Sequence, residues 1–282
     1  MDKIQVKILN PEAIAFGEKM MVFGSRLTQR GHQIKNMDDL TMLFDRSYKD
    51  STMQMMLNLP HANPKRFSQV VVAVVGASRR FLAQITRHQD DCHFISASLQ
   101  YSDYTDNAAF CIPYDLFVKD ANKEGNAAMV KDWYKIQYCK SQAQAMTEYE
   151  AAIKNGVEHD AAGYMMPHGL RNILLIAATP FQWMHMISQR ACRRNTGETQ
   201  YVMTLIWEQL AKESDMFATT PAPDCYQHTG CREGEKFSCG HPFCDVHVSN
   251  YMNNHQCSMP TAFLDVNYPL IRIDGEEFVR QV

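Results

Sequence analysis

Gln84-Ile-Thr-Arg-His-Gln-Asp-Asp-Cys-His-Phe-Ile-Ser-Ala-Ser-Leu-Gln-Tyr-Ser102 sets a polar, cationic block directly behind an apolar run. That run, Val70 to Val75, is β-branched, too short to cross a bilayer and closed by Gly76, so it reads as a buried strand. Gly76 to Arg87 then reads as a short helix carrying the polar block at its end, and Phe94 to Tyr101 as an extended return segment. Arg87 and His88 can neutralise and hydrogen-bond a phosphate. Ser98 can donate to or accept from a nucleotide, and Gln84 can pair its amide with a base edge or a phosphate. An exposed helix end with a solvated Arg-His pair accounts for the same residue types.

The 282 residues are 45% apolar and carry 28 basic against 31 acidic side chains, a formal charge of -3. The length suits one large domain or two modest ones around an ordinary globular core. Without a net positive field, a free nucleotide fits better than a polynucleotide. The first nine residues alternate like a strand, and no apolar run approaches about 18 residues, so neither a signal peptide nor a membrane span is expected and the default location is the cytoplasm. Nine cysteines in such a chain argue for thiols or metal ligands before disulfides, and four of the nine lie between Cys225 and Cys244.

In chain order, residues 3 to 9 alternate as a first strand, and Pro11 to Arg30 has helical apolar spacing up to Gly31. Asp38-Asp39 opens a second helix. A Met-rich segment leads to Pro60-His61-Ala62-Asn63-Pro64, which its two prolines make a rigid loop. His61 can face a ligand from that loop or simply be solvated. Cys111-Ile-Pro113 closes the unit. Lys123 to Gly156 reads as a long amphipathic helix, and a second helix starts near Glu158 and stops before Pro167. Leu170 to Ala178 is strand-like, Pro180 to Ala191 helical, and Thr199 to Phe217 helical again. Residues 1 to about 220 read as one α/β (α+β) domain, with residues 221–282 as a cysteine-rich extension.

These blocks fall into one order that resembles the flavin-dependent thymidylate synthases. That family's strand-to-helix segment ends Gln-x-x-Arg-His-Arg and is followed by a Ser and an Arg-Tyr-Ser; here stand Gln84-Ile-Thr-Arg87-His88-Gln89, Ser98 and Gln100-Tyr101-Ser102. His61-Ala-Asn-Pro64 is similar to its His-x-x-Pro loop. Tyr149 to Val157 and Met166-Pro167 resemble its helix-Gly-Val-helix-Leu-Pro region. Phe181 to Arg194, with Thr199-Gln200, resembles a helix ending Arg-x-Cys-x-Arg-Ala-Gln, and Cys225, Cys231 and Cys239 resemble a cysteine tail found in a subset of members.

The resemblance implies an antiparallel sheet flanked by helices, and a homotetramer with active sites shared at subunit interfaces. It implies FAD, NADPH and 5,10-methylenetetrahydrofolate as cofactors and a pyrimidine deoxynucleoside monophosphate as substrate. Carried over by position, Arg87 and His88 would hold FAD phosphates with Gln89 beside them, and His61, His185 and Thr179 would sit near the flavin or folate. Gln84, Gln100, Tyr101, Arg190 and Arg194 would face the nucleotide, and Ser98 its phosphate. Arg190 is the candidate for stabilising charge on the uracil carbonyl when C5 acts as nucleophile. Flavin carries the redox chemistry, so no protein nucleophile is needed.

Four departures fall on ligand-contacting positions. Gln89 replaces the second Arg of Arg-His-Arg, with one extra residue before Ser98, and a lost charge-assisted bond costs about 1.5–3 kcal/mol. Ile95-Ser96 replaces Asn-Glu, and Gln100 an Arg. Gly163 replaces another Arg, with Asp160 in place of Glu. Asn195-Thr-Gly-Glu198 is inserted before Thr199-Gln200, where the cluster Arg193-Arg194-Asn195 can supply replacement cations. Three readings follow: C5 methylation of dUMP to dTMP; flavin- and folate-dependent hydroxymethylation of dUMP or dCMP, since altered reading residues are what altered specificity requires; and a non-catalytic flavin- or nucleotide-binding oligomer.

The cysteines, with His228, His241 and His247 interleaved, have the ligand types of structural zinc. Cys192, Cys225, Cys231 and Cys239 are the expected four-thiolate set, against the alternative of reduced, partly buried thiols. The spacing is irregular. Without C-x2-4-C-x12-H spacing and with few basic residues, the tail does not read as a nucleic-acid finger. Ile271 to Gly275 reads as a closing strand.

Overall fold

The structure, a computed structural model, describes residues 4–57, 59, 61, 63–105, 108–113, 116, 126–219, 221–228, 230–240, 242, 243, 245–267 and 279–281. Four antiparallel strands form the main sheet in the order β1-β2-β5-β3: β1 (Gln5–Ile8), β2 (Val70–Ser78), β3 (Cys92–Ser96) and β5 (Arg171–Ala178). The two central strands are the β-branched and aliphatic runs, and their register aligns Val70 with Ala178 and Val74 with Leu174. Alternation sends Val70, Val72, Val74, Leu174 and Ile176 into the core. The opposite face carries Ala73, Leu175 and Ile95 as one cross-strand row, with Ile95 70% exposed and Ile173 46% exposed.

Helices cover the inner face. Apart from α2 (Met37–Phe44), which buries no side chain and packs against the first helix, they are α1 (Glu12–Arg30), α3 (Asp50–Leu57), α4 (Arg79–Ile85), α7 (Pro180–Arg190) and α8 (Gly197–Glu213). The last of these turns Val202, Met203, Ile206, Trp207 and Leu210 into the core and is buried on nearly every side. Trp183 donates its indole N–H to the carbonyl of Val70 at 3.1 Å, which fixes α7 against β2 without leaving a buried donor unmet. At one end of the sheet, α5 (Asn126–Lys154) packs Met146 and Tyr149 against Phe110, Met166 and Leu170 as a second, smaller core, next to α6 (His159–Ala162). Phe110 lies in β4 (Ala109–Cys111), which pairs with β6 (Val279–Gln281).

Two boundaries differ from the sequence reading. The strand expected to stop at Gly76 runs to Ser78, because Gly76 takes φ 93° in a bulge that shifts register between Val75 and Ala77. The helix therefore begins only at Arg79, with the Ser78 hydroxyl accepting from the N–H of Phe81. The extended return ends at Ser96 rather than Tyr101, and the expected strand at 271–275 lies outside the described residues.

The chain after residue 219 adds α10 (Asp224–Gln227), α11 (Gly234–Phe237), α12 (Asp245–His255) and α13 (Met259–Asn267), following the short α9 (Asp215–Thr219). Phe263 is fully buried and stacks its ring centroid 5.3 Å from Trp207, 5.1 Å from Tyr226 and 4.7 Å from Phe243. Ala262, Leu264, Val248 and Phe243 belong to the same buried cluster as the sheet. No helix among the described residues is long and apolar enough to cross a membrane. Phe263→Ala is expected to cost about 3–5 kcal/mol, read from urea melts, with the tail and the sheet unfolding in one transition; separate transitions would show that this ring does not join the two.

Candidate functional site

The turn after α4 and the C-terminal end of α7 meet in a corner built around Arg190. Its Nε donates to His88 Nε2 at 2.8 Å, one terminal nitrogen to Asn195 Oδ1 at 3.2 Å, and the other to the backbone carbonyl of Gln84 at 3.1 Å. Those three bonds take three of the five guanidinium N–H groups, and the side chain is half-buried. Burial first, and the neighbouring Arg87 second, lower the affinity of Arg190 for its proton. Two cations on one corner, one of them with N–H groups still uncommitted, suit an anionic ligand.

Gln84 is held from the other side. Its Oε1 accepts from the hydroxyls of Thr199 and Thr196, the latter at 3.3 Å, which leaves the two amide N–H groups as donors. Asn195 is itself fixed, donating to the carbonyls of Gln189 at 2.8 Å and Cys192 at 3.0 Å. Glu198, fully withdrawn from water, accepts from the backbone N–H of Ser78 at 2.6 Å and from its hydroxyl at 2.5 Å. Burial pushes its carboxyl pKa up, and the Ser78 bonds pull it back. Asn195, Thr196 and Glu198 all come from the segment that reads as an insertion; Asn195 stood in the Arg193-Arg194-Asn195 cluster, while Thr196 and Glu198 were not expected at the site. A polar insertion directly after a cationic helix end was the available signal.

The expected residues divide into groups. Gln84, His88 and Arg190 are joined by hydrogen bonds; Arg87, Gln89 and His185 are exposed around them, with the His185 ring edge-on to His88 at 5.9 Å. Thr179 is buried as the N-cap of α7, accepting from Gln182 N–H at 3.3 Å. His61 is exposed in its loop. Ser98 accepts from Gln100 N–H at 3.0 Å, just past the point where Ala97 N–H reaches the carbonyl of Ile173, and Gln100 and Tyr101 beside it face water. Arg194 donates to the carbonyl of Phe237 in the tail rather than joining Arg190. Arg193 sits 3.9 Å over the Phe243 ring. Cys192, Cys225, Cys231 and Cys239 line one small cavity of about 50 Å³ with Arg193 and Phe243.

The Arg190 bond fixes the His88 tautomer: Nε2 accepts, so Nδ1 carries the proton. Burial, then Arg190, then His185 hold the imidazole down at about 4, against an ordinary 6.5. The unfolded chain therefore takes up this proton first, and the stabilisation is complete above about 6.5 and lost as pH falls toward 4. Urea midpoints measured from neutral pH down are expected to fall through that window, with His88→Gln flattening the fall. Equal slopes for the two proteins would place His88 in water.

Comparison with known proteins places the chain in a family. Residues 13–214 match the family model described as thymidylate synthase complementing protein (Thy1). A flavin-dependent thymidylate synthase from Thermococcus onnurineus (strain NA1) is 23% identical over 196 residues, covering 66% of this chain and 75% of that protein. The crystal structure of a UMP/dUMP methylase, PolB from Streptomyces cacaoi, bound with 5-Br dUMP, superposes with a TM-score of 0.60 at 15% identity, covering 77% of this chain and 93% of that one; it shows a shared fold. With the family model spanning most of the chain and both central strands inside the match, the protein belongs to the thymidylate synthase complementing protein (Thy1) family, the flavin-dependent thymidylate synthases.

Proposed function

We propose that this protein is an enzyme that modifies C5 of a pyrimidine deoxynucleoside monophosphate with a one-carbon unit from 5,10-methylenetetrahydrofolate, using FAD and NADPH, and that its first reaction is methylation of dUMP to dTMP. The observation that carries this reading is the Arg190 corner within a chain of this family: a half-buried guanidinium, oriented by three acceptors, with two N–H groups left over beside Arg87.

The residues present fit an anionic cofactor, since Arg87, Gln89 and His185 are exposed around the same corner and Arg87 is close enough to disfavour the charge on Arg190. Arg87 would neutralise a phosphate of FAD, with Gln89 offering amide donors where a second cation is absent. When bound, the flavin supplies hydride transfer. The protein's part is positioning and charge. Gln84, its carbonyl oxygen held by threonines, offers two N–H donors to an acceptor edge of the base. Arg190 aims at the carbonyl oxygen on which negative charge builds as C5 becomes nucleophilic, and partial burial strengthens that interaction. His88 stays neutral near pH 7 and keeps the guanidinium in one orientation. Ser98, half-buried beside the exposed Gln100 and Tyr101 on a turn of its own, would reach the nucleotide phosphate in the site of a neighbouring copy. The apolar outer face at Ile95, Ile173 and Leu175 supports burial against another subunit, in line with a homotetramer whose sites are shared.

Transfer of hydroxymethyl to dUMP or dCMP is the second reading. It is favoured by the exposed Gln100 and Ile95, which stand where the resemblance expects a guanidinium and a polar side chain. The purified protein is expected to be yellow with a flavin spectrum, and incubation with dUMP, methylenetetrahydrofolate and NADPH to yield a nucleotide heavier by one CH2. A product heavier by CH2O, from dUMP or dCMP, selects the second reading; a colourless protein leaving both nucleotides unchanged overturns both. Arg190→Lys keeps a charge but loses the planar fork, and is expected to lower kcat by about 100-fold or more with an unchanged circular dichroism spectrum. Activity within about threefold of wild type would remove Arg190 from the chemistry.

A further inference from the structure

We propose that Cys192, Cys225, Cys231 and Cys239 form a four-thiolate zinc site that fastens the tail to the loop carrying Arg190. The four sulfurs come from separate turns of the chain: Cys192 follows α7, Cys225 lies in α10, Cys231 in the turn after it, and Cys239 just beyond α11. All four line the same cavity of about 50 Å³, which exceeds the roughly 30 Å³ share of one water molecule. Among the described residues no three ligand side chains already stand in metal-binding register, so the ion would draw the thiols in from the cavity wall to a bond length of about 2.3 Å.

Three further observations point the same way. Residues 224–240 contain no fully buried side chain among those described, and α10 and α11 are four-residue helices whose N-caps make no side-chain hydrogen bond. Helices of that length do not hold themselves together in water, and a segment so thinly packed gains from a cross-link. Its cysteines are among the few side chains it turns inward. The backbone already treats a sulfur as an acceptor: Phe243 N–H points at Cys225 Sγ at 3.4 Å, as N–H groups around a metal-bound sulfur do. Gly234 and Gly240 adopt φ of 72° and 76°, giving the tight turns that bring Cys231 and Cys239 back to one side. Binding takes four thiols to thiolates, releases their protons and forms four Zn–S bonds with no change in oxidation state.

The link to the corner is short. The carbonyl of Cys192 holds the Asn195 amide, whose oxygen in turn holds Arg190, and Arg194 reaches across to the carbonyl of Phe237 in the tail. The ion would therefore act as a positioning element for Arg190 from outside the ligand pocket.

Metal content and cobalt titration of the full chain test this without flavin or nucleotide, so the outcome is independent of the reaction proposed above. Protein purified without chelator is expected to hold one equivalent of zinc, and the stripped, reduced chain to take up one Co2+ with thiolate-to-metal charge-transfer bands. Cys231→Ser is expected to weaken Co2+ binding at least about 100-fold, while Cys139→Ser, on α5 and away from the cavity, binds as wild type does. Four reduced thiols that take up neither ion overturn the proposal. So does an intact mass, without reductant, short of four hydrogens, which would mean two disulfides. Equal Co2+ affinity in Cys231→Ser overturns it as well.

Discussion

A guanidinium drawn halfway out of water must find an acceptor for each N–H it turns inward, and in this fold that requirement ties three separate parts of the chain together. Arg190 meets the ring of His88, the last carbonyls of α4 through Gln84, and Asn195 from the loop that follows. Removing any one of these would leave a buried charge poorly matched, which costs more than the bond itself contributes. The corner is therefore rigid before any ligand arrives. A preformed donor fork needs no reorganisation when charge develops in front of it.

The segment from Asn195 to Glu198 explains how a pocket with altered reading residues remains ordered. Asn195 orients Arg190, Thr196 helps hold the Gln84 amide, and Glu198 reaches Ser78, where β2 ends and α4 starts. Both ends of α4 are thus held by residues two apart in the chain, Thr196 and Glu198. Arg193 and Arg194, which stood as candidates to replace lost cations, instead turn toward Phe243, Asn267 and Phe237. Within one chain, the cationic face of the corner is Arg87 with Arg190.

Much of this was legible in the residues. The β-branched run at Val70 and the aliphatic run at Leu174 became the paired central strands because every second side chain of each is buried on the helix-covered face. The Gln84, His88 and Arg190 grouping followed from motif order. What periodicity could not reveal was the bulge at Gly76, since a glycine that ends a strand and one that kinks it look alike in sequence. Nor could it reveal Glu198, a carboxylate whose partner lies 120 positions away. The turn at Ser98 reads as extended by composition, but its backbone folds onto its own hydroxyl.

The ring of Phe263 over Trp207 has a practical bearing on how the chain can be divided. The family match ends at residue 214, which invites a shortened version that keeps only the matched span. Such a fragment would open the indole and the adjoining face of α8 to solvent, creating the kind of broad oily patch that drives chains to associate nonspecifically. Tyr226, Phe243 and Phe263 cover this part of the core, and biochemistry on this protein belongs with the tail in place.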